Sequence, residues 1–495
     1  MMNKHLRQLL IALLCLGAAS CGKDEGDKKP NIDPDPGKEE QEQVVDIDLS
    51  SAQLPPKELR GAWVATVWGI DWPKSKYDET SQKELYTKEL DLFQKIGLNA
   101  VFFQVRSKAD AFYKSEYEPW SKYITGKDDG DPGYDVLKWL IDETHKRGMQ
   151  FHAWMNPYRI SSVSKAGDQL PDLDPRIPEE LTKTYLKQRI YNPALPAARE
   201  RICAIVKELL TKYDVDGLHM DDYFYPSTLE KGESMGDEDE YAKYGSGYSS
   251  IEDFRRANVS ALVRRLHETI AQTKPEVIFS IAPQGNYDNN YNRLYIDVEE
   301  ICREGWIDII IPQLYNVEST FKDRLDWFGK RTGKTHYAIG YGTYMYDGSS
   351  TYKSYTVDLF NKIWSAAKDY SSVEGAVYYN TTSLMDNKLG LTNIISSNYS
   401  KKALVPYFCS APEASVRPAA PSQVKITGKN LTWKASPGAK CYAVYKVSIN
   451  KKTAVLVGVT EGLSYTIPAR GIYCVTALSK ENAESEASKG ARNDI

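Results

Sequence analysis

Val215-Asp216-Gly217-Leu218-His219-Met220-Asp221-Asp222-Tyr223-Phe224-Tyr225-Pro226 runs an apolar strand straight into two carboxylates and an aromatic cluster before a proline stops it. In parallel α/β proteins the carboxyl ends of the strands carry the chemistry, because the loops there vary without disturbing the core below. Burying two adjacent aspartates for structure alone is costly unless each is paired. A single Asp after a strand reads equally well as a helix N-cap. The pair, set among aromatics, favours a functional site.

Working outward, strand-like runs alternate with helical ones from Leu59 onward, the pattern of βα units and a parallel sheet. Strands are expected at Gly61 to Trp68, Ala100 to Arg106, Gln150 to Met155, Gly217 to Asp221, Ile278 to Ala282, Ile307 to Pro312, His336 to Tyr341 and Gly375 to Tyr379. Helices are expected from Glu84 to Ile96 before Gly97, from Tyr134 to Arg147 before Gly148, and from Ala197 to Tyr213. Eight such units predict an α/β fold closed as a (β/α)8 TIM barrel. An open doubly wound sheet is the alternative, but no GxGxxG follows the first strand. Two polar insertions, Tyr158 to Asn192 and Tyr225 to Ser250, are expected to wall a cleft. Beyond Pro406 the pattern changes to short alternating strands after a stiff Pro418-Ala-Ala-Pro421, which predicts a small all-β sandwich resembling a fibronectin type III module.

The amino terminus bears on location. Lys4 and Arg7 precede the apolar run Leu9 to Leu16, and Gly17-Ala18-Ala19-Ser20-Cys21 follows, a signal peptide too short to span a membrane as a mature helix. The small residues before Cys21 resemble a bacterial lipobox, which implies lipidation of Cys21. The polar tract from Gly22 to Gln43 lacks the apolar surface to fold and reads as a tether. The expected division is 1–20 signal peptide, 21–57 lipidated tether, 58–405 barrel, 406–420 linker and 421–495 β-sandwich. The expected location is the cell envelope, as an outer-membrane lipoprotein facing the periplasm or the outside.

Composition narrows the partners. The chain has 495 residues, net charge −4 and no basic block, so nucleic acid is excluded as an expected partner. The seven cysteines are scattered without a CxxC, which argues against a disulfide scaffold or metal cluster; Cys441 and Cys474 are expected as core thiols. No motif implies a cofactor, and no HExxH supports a metal. The 34 tyrosines and 10 tryptophans supply flat faces with polar edges, which suit sugar rings and also protein surfaces.

Several longer motifs now carry a resemblance. Leu59-Arg60-Gly61-Ala62-Trp63-Val64, Gln104-Val105-Arg106 with Ala109-Asp110-Ala111, Phe151 to Arg159, Asp216 to Pro226 and Pro312-Gln313-Leu314-Tyr315 stand in order over Glu58 to Tyr399. They resemble the glycosyl-hydrolase-like family ten of bacterial envelope proteins. The resemblance implies a (β/α)8 barrel and hydrolysis of glycans, with members acting on peptidoglycan strands stripped of their peptides. The segment at Asp216 to Pro226 also looks like the fourth-strand motif of chitinases, where the substrate's N-acetyl group is the nucleophile. Tyr223 or Phe224 stands where those enzymes carry a glutamate, so the acid must come from Asp222 or another loop.

Glycoside hydrolysis needs one carboxyl as acid and a second group as nucleophile or base. Side chains alternate along a strand, so Asp221 is expected inward with His219 beneath it as a partner or a plain buried histidine, and Asp222 as second acid or helper. Glu318, three residues past Tyr315, is a third candidate acid, or else a solvated loop charge. Arg106, Asp110, His152, Asn156, Arg159 and Gln313 are expected to hold sugars from the strand ends, with Trp68, Tyr315 and Tyr341 as stacking platforms. Trp63 and Trp154, lying inside strands, are expected as packing. Three functional classes follow: a glycosidase on an N-acetylated bacterial glycan, a non-catalytic glycan-binding lipoprotein, and a scavenging glycosidase for external polysaccharide.

Overall fold

The computed structural model describes residues 44–493 apart from 48, 50–51, 164–167, 186–187, 227–234 and 410–411. Eight parallel strands close into a barrel in chain order: Leu59–Val64, Ala100–Arg106, Gln150–Met155, Gly217–Met220, Ile278–Ile281, Ile309–Ile310, His336–Gly342 and Val373–Tyr379. The eighth strand pairs back onto the first, Gly375 with Leu59, which completes the closure. Every strand expected from the sequence is present. The helices follow suit at Glu79–Lys95, Val136–His145 and Pro196–Lys212, and Gly97 and Gly148 turn the chain at φ 83° and 67° after the first two.

Strand alternation divides the core into two shells. Leu59, Trp63, Phe102, Trp154, Ile278, Ile309, Ala338 and Val377 fill the barrel interior. Val64, Phe103, Phe151, Leu218, Phe279 and Tyr341 face outward into the helix layer. Gly217 is required by this packing: a Cβ there would lie 2.0 Å from His152 Nδ1, so the imidazole occupies the space that the glycine leaves.

The carboxy-terminal strands form two antiparallel sheets stacked over Leu431, Trp433, Tyr442, Val444, Tyr473 and Val475. One sheet holds Ser422–Thr427, Asn430–Lys434 and Ser464–Thr466, and the other Cys441–Ser448, Thr453–Thr460, Gly471–Leu478 and Gly490–Asn493. Cys441 and Cys474 are free thiols. The tether expected over 21–57 ends earlier than that: Val44–Val45 adds as an edge strand against Ala491 and Gly490, and Leu49 is buried. The lipobox Cys21 and the rest of residues 1–43 lie outside the described residues. The 406–420 segment is also partly packed, with Phe408 buried beneath the barrel against His336 at 5.0 Å.

These sheets dock at the amino-terminal end of the barrel, away from its mouth. Lys440 reaches Asp216 at the start of the fourth strand, and Asp216 also accepts from Phe151 N at 2.8 Å and pairs with His145 Nε2 at 2.7 Å. Burial opposes the Asp216 charge, yet Lys440 and His145 hold its carboxyl well below the usual range. Asp216 is therefore a clamp between the two parts, five residues and one barrel-height from Asp221.

Candidate active site

The fourth strand ends at Met220, and the two aspartates beyond it splay apart. Asp221 lies deep, only 4% exposed, and leans toward the third strand, where its Oδ2 accepts from Trp154 Nε1 at 3.0 Å and from Asn156 Nδ2. Its Oδ1 accepts from Tyr223 N at 3.1 Å. Asp222 leans the other way, accepting from Gln284 Nε2 at 2.8 Å and Gln313 Nε2 at 3.2 Å. Burial, together with the neighbouring Asp222, pushes the Asp221 carboxyl up to about 7. Burial raises Asp222 as well, against the two glutamine amides that stabilise its charged form. Each carboxyl therefore keeps its proton to higher pH than a free aspartate does, and ionisation of one disfavours that of the other.

A polar network fixes this arrangement. Gln104 accepts from Thr66 N at 3.0 Å and Val67 N at 2.9 Å, and its amide donates to Asn156 Oδ1 at 3.3 Å. Arg159 donates to the same Asn156 oxygen and to Ser107 O. With its oxygen taken twice, Asn156 turns its NH2 to Asp221. The Arg159 guanidinium also lies 4.3 Å over the ring of Tyr223, which is 42% exposed at the rim.

Aromatic rings form the opposite wall. Tyr315 stacks on Tyr379 at 6.1 Å and 15°, and Tyr344 stands edge-on to both. Gly342 makes room for this, since a Cβ there would sit 2.8 Å from the Tyr315 ring. Trp68 is 55% exposed at φ 58°, a conformation that bulky side chains rarely adopt, and Lys108 lies 4.2 Å over its ring.

Five expected site residues lie elsewhere. Arg106 is buried in a bidentate pair with Glu118 at 2.6 and 2.8 Å and braces the mouth from below. His152 sits deeper in the barrel, stacked on Phe102 at 4.4 Å and donating to Gln150 at 3.1 Å, and burial pushes its pKa down to about 4. His219 is not a partner of Asp221: its Nε2 accepts from Trp63 Nε1 at 2.9 Å and its Nδ1 meets Ser280 Oγ at 2.8 Å, so it is a neutral core histidine. Tyr341 packs outward against Phe321 and Tyr378. Glu318 opens the helix Glu318–Gly329 and pairs with Lys322 at 2.7 Å and Lys362 at 3.6 Å, which hold its carboxyl below the usual range.

Asp110, Asn156, Arg159, Gln313, Tyr315 and Trp68 do border the mouth or the cleft beside it. Gln284 and the indole N–H of Trp154 are site groups that sequence reasoning missed. A signal for Gln284 exists: Ala282-Pro283-Gln284 and Ile311-Pro312-Gln313 close successive strands with the same Pro-Gln step. Among the described residues no group of three or more His, Cys, Asp or Glu side chains converges as a metal site would.

A closed parallel barrel with an adjacent carboxyl pair and an aromatic wall at its carboxyl-end mouth is the architecture of a glycoside-hydrolase-type protein. The chain belongs to the glycosyl hydrolase-like 10 family, whose model matches residues 58–366. It is 35% identical over 456 residues to the glycosyl hydrolase YngK of Bacillus subtilis (strain 168), covering 83% of this chain and 87% of that one. It is 34% identical over 313 residues to the glycosyl hydrolase DigH of Escherichia coli (strain K12), covering 57% of this chain and 71% of that one. Among solved structures, the PgaB (BpsB) glycoside hydrolase domain from Bordetella bronchiseptica matches with a TM-score of 0.47 and 10% identity, over 69% of this chain and 98% of that one.

Proposed function

We propose that this protein cleaves within an N-acetylated bacterial glycan, namely peptidoglycan strands stripped of their peptides, by a substrate-assisted acid/base mechanism. The observation that carries the proposal is the Asp221–Asp222 pair, held by separate donor sets on opposite sides of the mouth, with both carboxyls raised by burial. Asp222, the more exposed of the two, protonates the leaving glycosidic oxygen. Asp221, fixed by Trp154, Asn156 and Tyr223 N, accepts the N–H of the substrate acetamide, whose carbonyl oxygen attacks the anomeric carbon. Water then opens the cyclic intermediate while Asp222 takes a proton back, so configuration is retained. The stacked Tyr315 and Tyr379 rings form a platform for the sugar beside the broken bond.

One observation favours the competing, non-catalytic reading: Glu318 faces lysines, so both acidic roles fall on a single adjacent pair. Asp222→Asn separates the two readings. Loss of a general acid costs about 10²- to 10⁴-fold in rate, while glycan binding persists. An Asp222→Asn variant as active as the unaltered protein removes the proposed acid. In the same proposal the segment up to Cys21 is an export and lipidation signal, and the protein works in the bacterial envelope as an outer-membrane lipoprotein.

A further inference from the structure

We infer that a second cavity beside the mouth is a distal subsite that binds uncharged N-acetylated sugar units farther along the same chain; the inference rests on the glycan-cleaving reading above. The cavity holds about 590 Å³, in the range of specific small-ligand sites. Its walls are the segment after the second strand, the strands Arg159–Ser162 and Gln188–Tyr191 inserted after the third, and the loop between them from Pro171 to Ile177.

The cavity is wired to the catalytic pair. Asp221 is held by Asn156, Asn156 by Arg159, and Arg159 by the carbonyl of Ser107; the next residue, Lys108, lines the cavity and covers Trp68 at its rim. The walls are also preorganised. Ala111 N donates to Pro119 O and Ser121 N to Ala111 O, and Arg201 ties the carbonyls of Tyr117 and Arg176 together. A polymer lying across the mouth therefore meets a built surface, which lowers the ordering cost of binding.

The lining indicates the ligand's chemistry. Trp120 and Tyr123 contribute ring faces, and Ser161 Oγ is buried without a partner among the described residues. Arg176 pairs with both Asp129 and Asp174 at 2.7 Å each. With Asp110, Asp128 and Asp172 set against Lys108, Lys122 and Arg189, one carboxylate more than the cations remains. Mixed donors and acceptors at so small a net charge fit the hydroxyl and amide groups of a sugar, and the excess carboxylate selects against a phosphate.

The test measures binding by calorimetry in the Asp222→Asn background, where the probe is not consumed. The probes are β-1,4-linked N-acetylglucosamine dimer and hexamer, with glucosamine hexamer as the charged comparison. Trp120→Ala should weaken the acetylated hexamer about tenfold, the usual loss on truncating an aromatic anchor. Trp120→Phe should recover much of that loss, and Asp128→Ala, at an exposed position that folding does not depend on, should weaken the hexamer about threefold. The hexamer-to-dimer affinity ratio should fall in both weakened variants. Equal hexamer affinity across the series, or tighter binding of the glucosamine hexamer, overturns the subsite. Because no turnover is read, a protein that binds but never cleaves sinks the hydrolase reading and leaves this measurement intact.

Discussion

Trp154→Phe probes the electrostatics of the mouth with one atom. The indole N–H donates to Asp221 Oδ2 at 3.0 Å, and it stabilises the charged carboxylate, not the acid. Phe retains an aromatic ring at a position 6% exposed inside the barrel but removes that donor. A buried hydrogen bond to a charged group is worth about 1.5–3 kcal/mol, and about 1.36 kcal/mol corresponds to one pH unit. The carboxyl pair, already raised by burial, should therefore titrate about one to two pH units higher in the variant. Carbon-detected NMR of the aspartate carboxyls reads the shift directly, and the acid limb of the glycan-cleavage pH profile, where Asp221 ionises to accept the acetamide N–H, should move by the same interval. An unchanged or lowered titration midpoint, with the variant folded, would refute the assignment of Trp154 as the donor that sets Asp221.

Two further outcomes follow from the packing and one from the amino-terminal sequence. Arg106→Leu strands the buried Glu118 carboxylate and should cost about 3–5 kcal/mol in denaturant unfolding, whereas a sugar-binding arginine would show its loss in KM with stability intact. Glu89 is buried with neither carboxyl oxygen partnered among the described residues, and burial raises its pKa well above the ordinary glutamate range. Its folded pKa exceeds its unfolded one, so the stability its proton supplies is full below pH about 4 and is lost as pH rises toward the folded value. Glu89→Gln should therefore raise Tm more at pH 9 than at pH 5, and an equal change at both would contradict the burial argument. Cys21→Ser should release a folded protein from the membrane fraction, because stable anchoring takes more than one acyl chain and a lipoprotein cysteine supplies them; retention in that fraction would contradict lipidation at this residue.

Much of the barrel was legible because its signals are local: period-two strands, period-3.6 helices and glycines at the helix ends. The site was less so, because depth along a strand matters as much as phase. His152, Trp154 and Asn156 share the inward face of the third strand, but only the upper two reach Asp221. His152 lies a layer lower, in the space that Gly217 leaves. Tyr341 is out of phase with inward Ala338, a clue blurred by Gly340 and Gly342, which have no side chains to show the face. Glu318 four residues before Lys322 is a helix-surface pair visible in the sequence. Arg106 could not be read that way: its partner Glu118 is brought in by a loop. The clamp between Asp216 and Lys440 joins residues 224 positions apart, so no local pattern announces it.

The most direct measurement is product analysis on peptide-free peptidoglycan strands incubated with purified protein between pH 5 and 8. The expected result is new reducing ends of retained configuration, falling away toward alkaline pH as the Asp222 carboxyl, raised by burial, loses its proton, and absent with Asp222→Asn. Binding of the strands with no new reducing ends at any pH in that range would contradict the catalytic account.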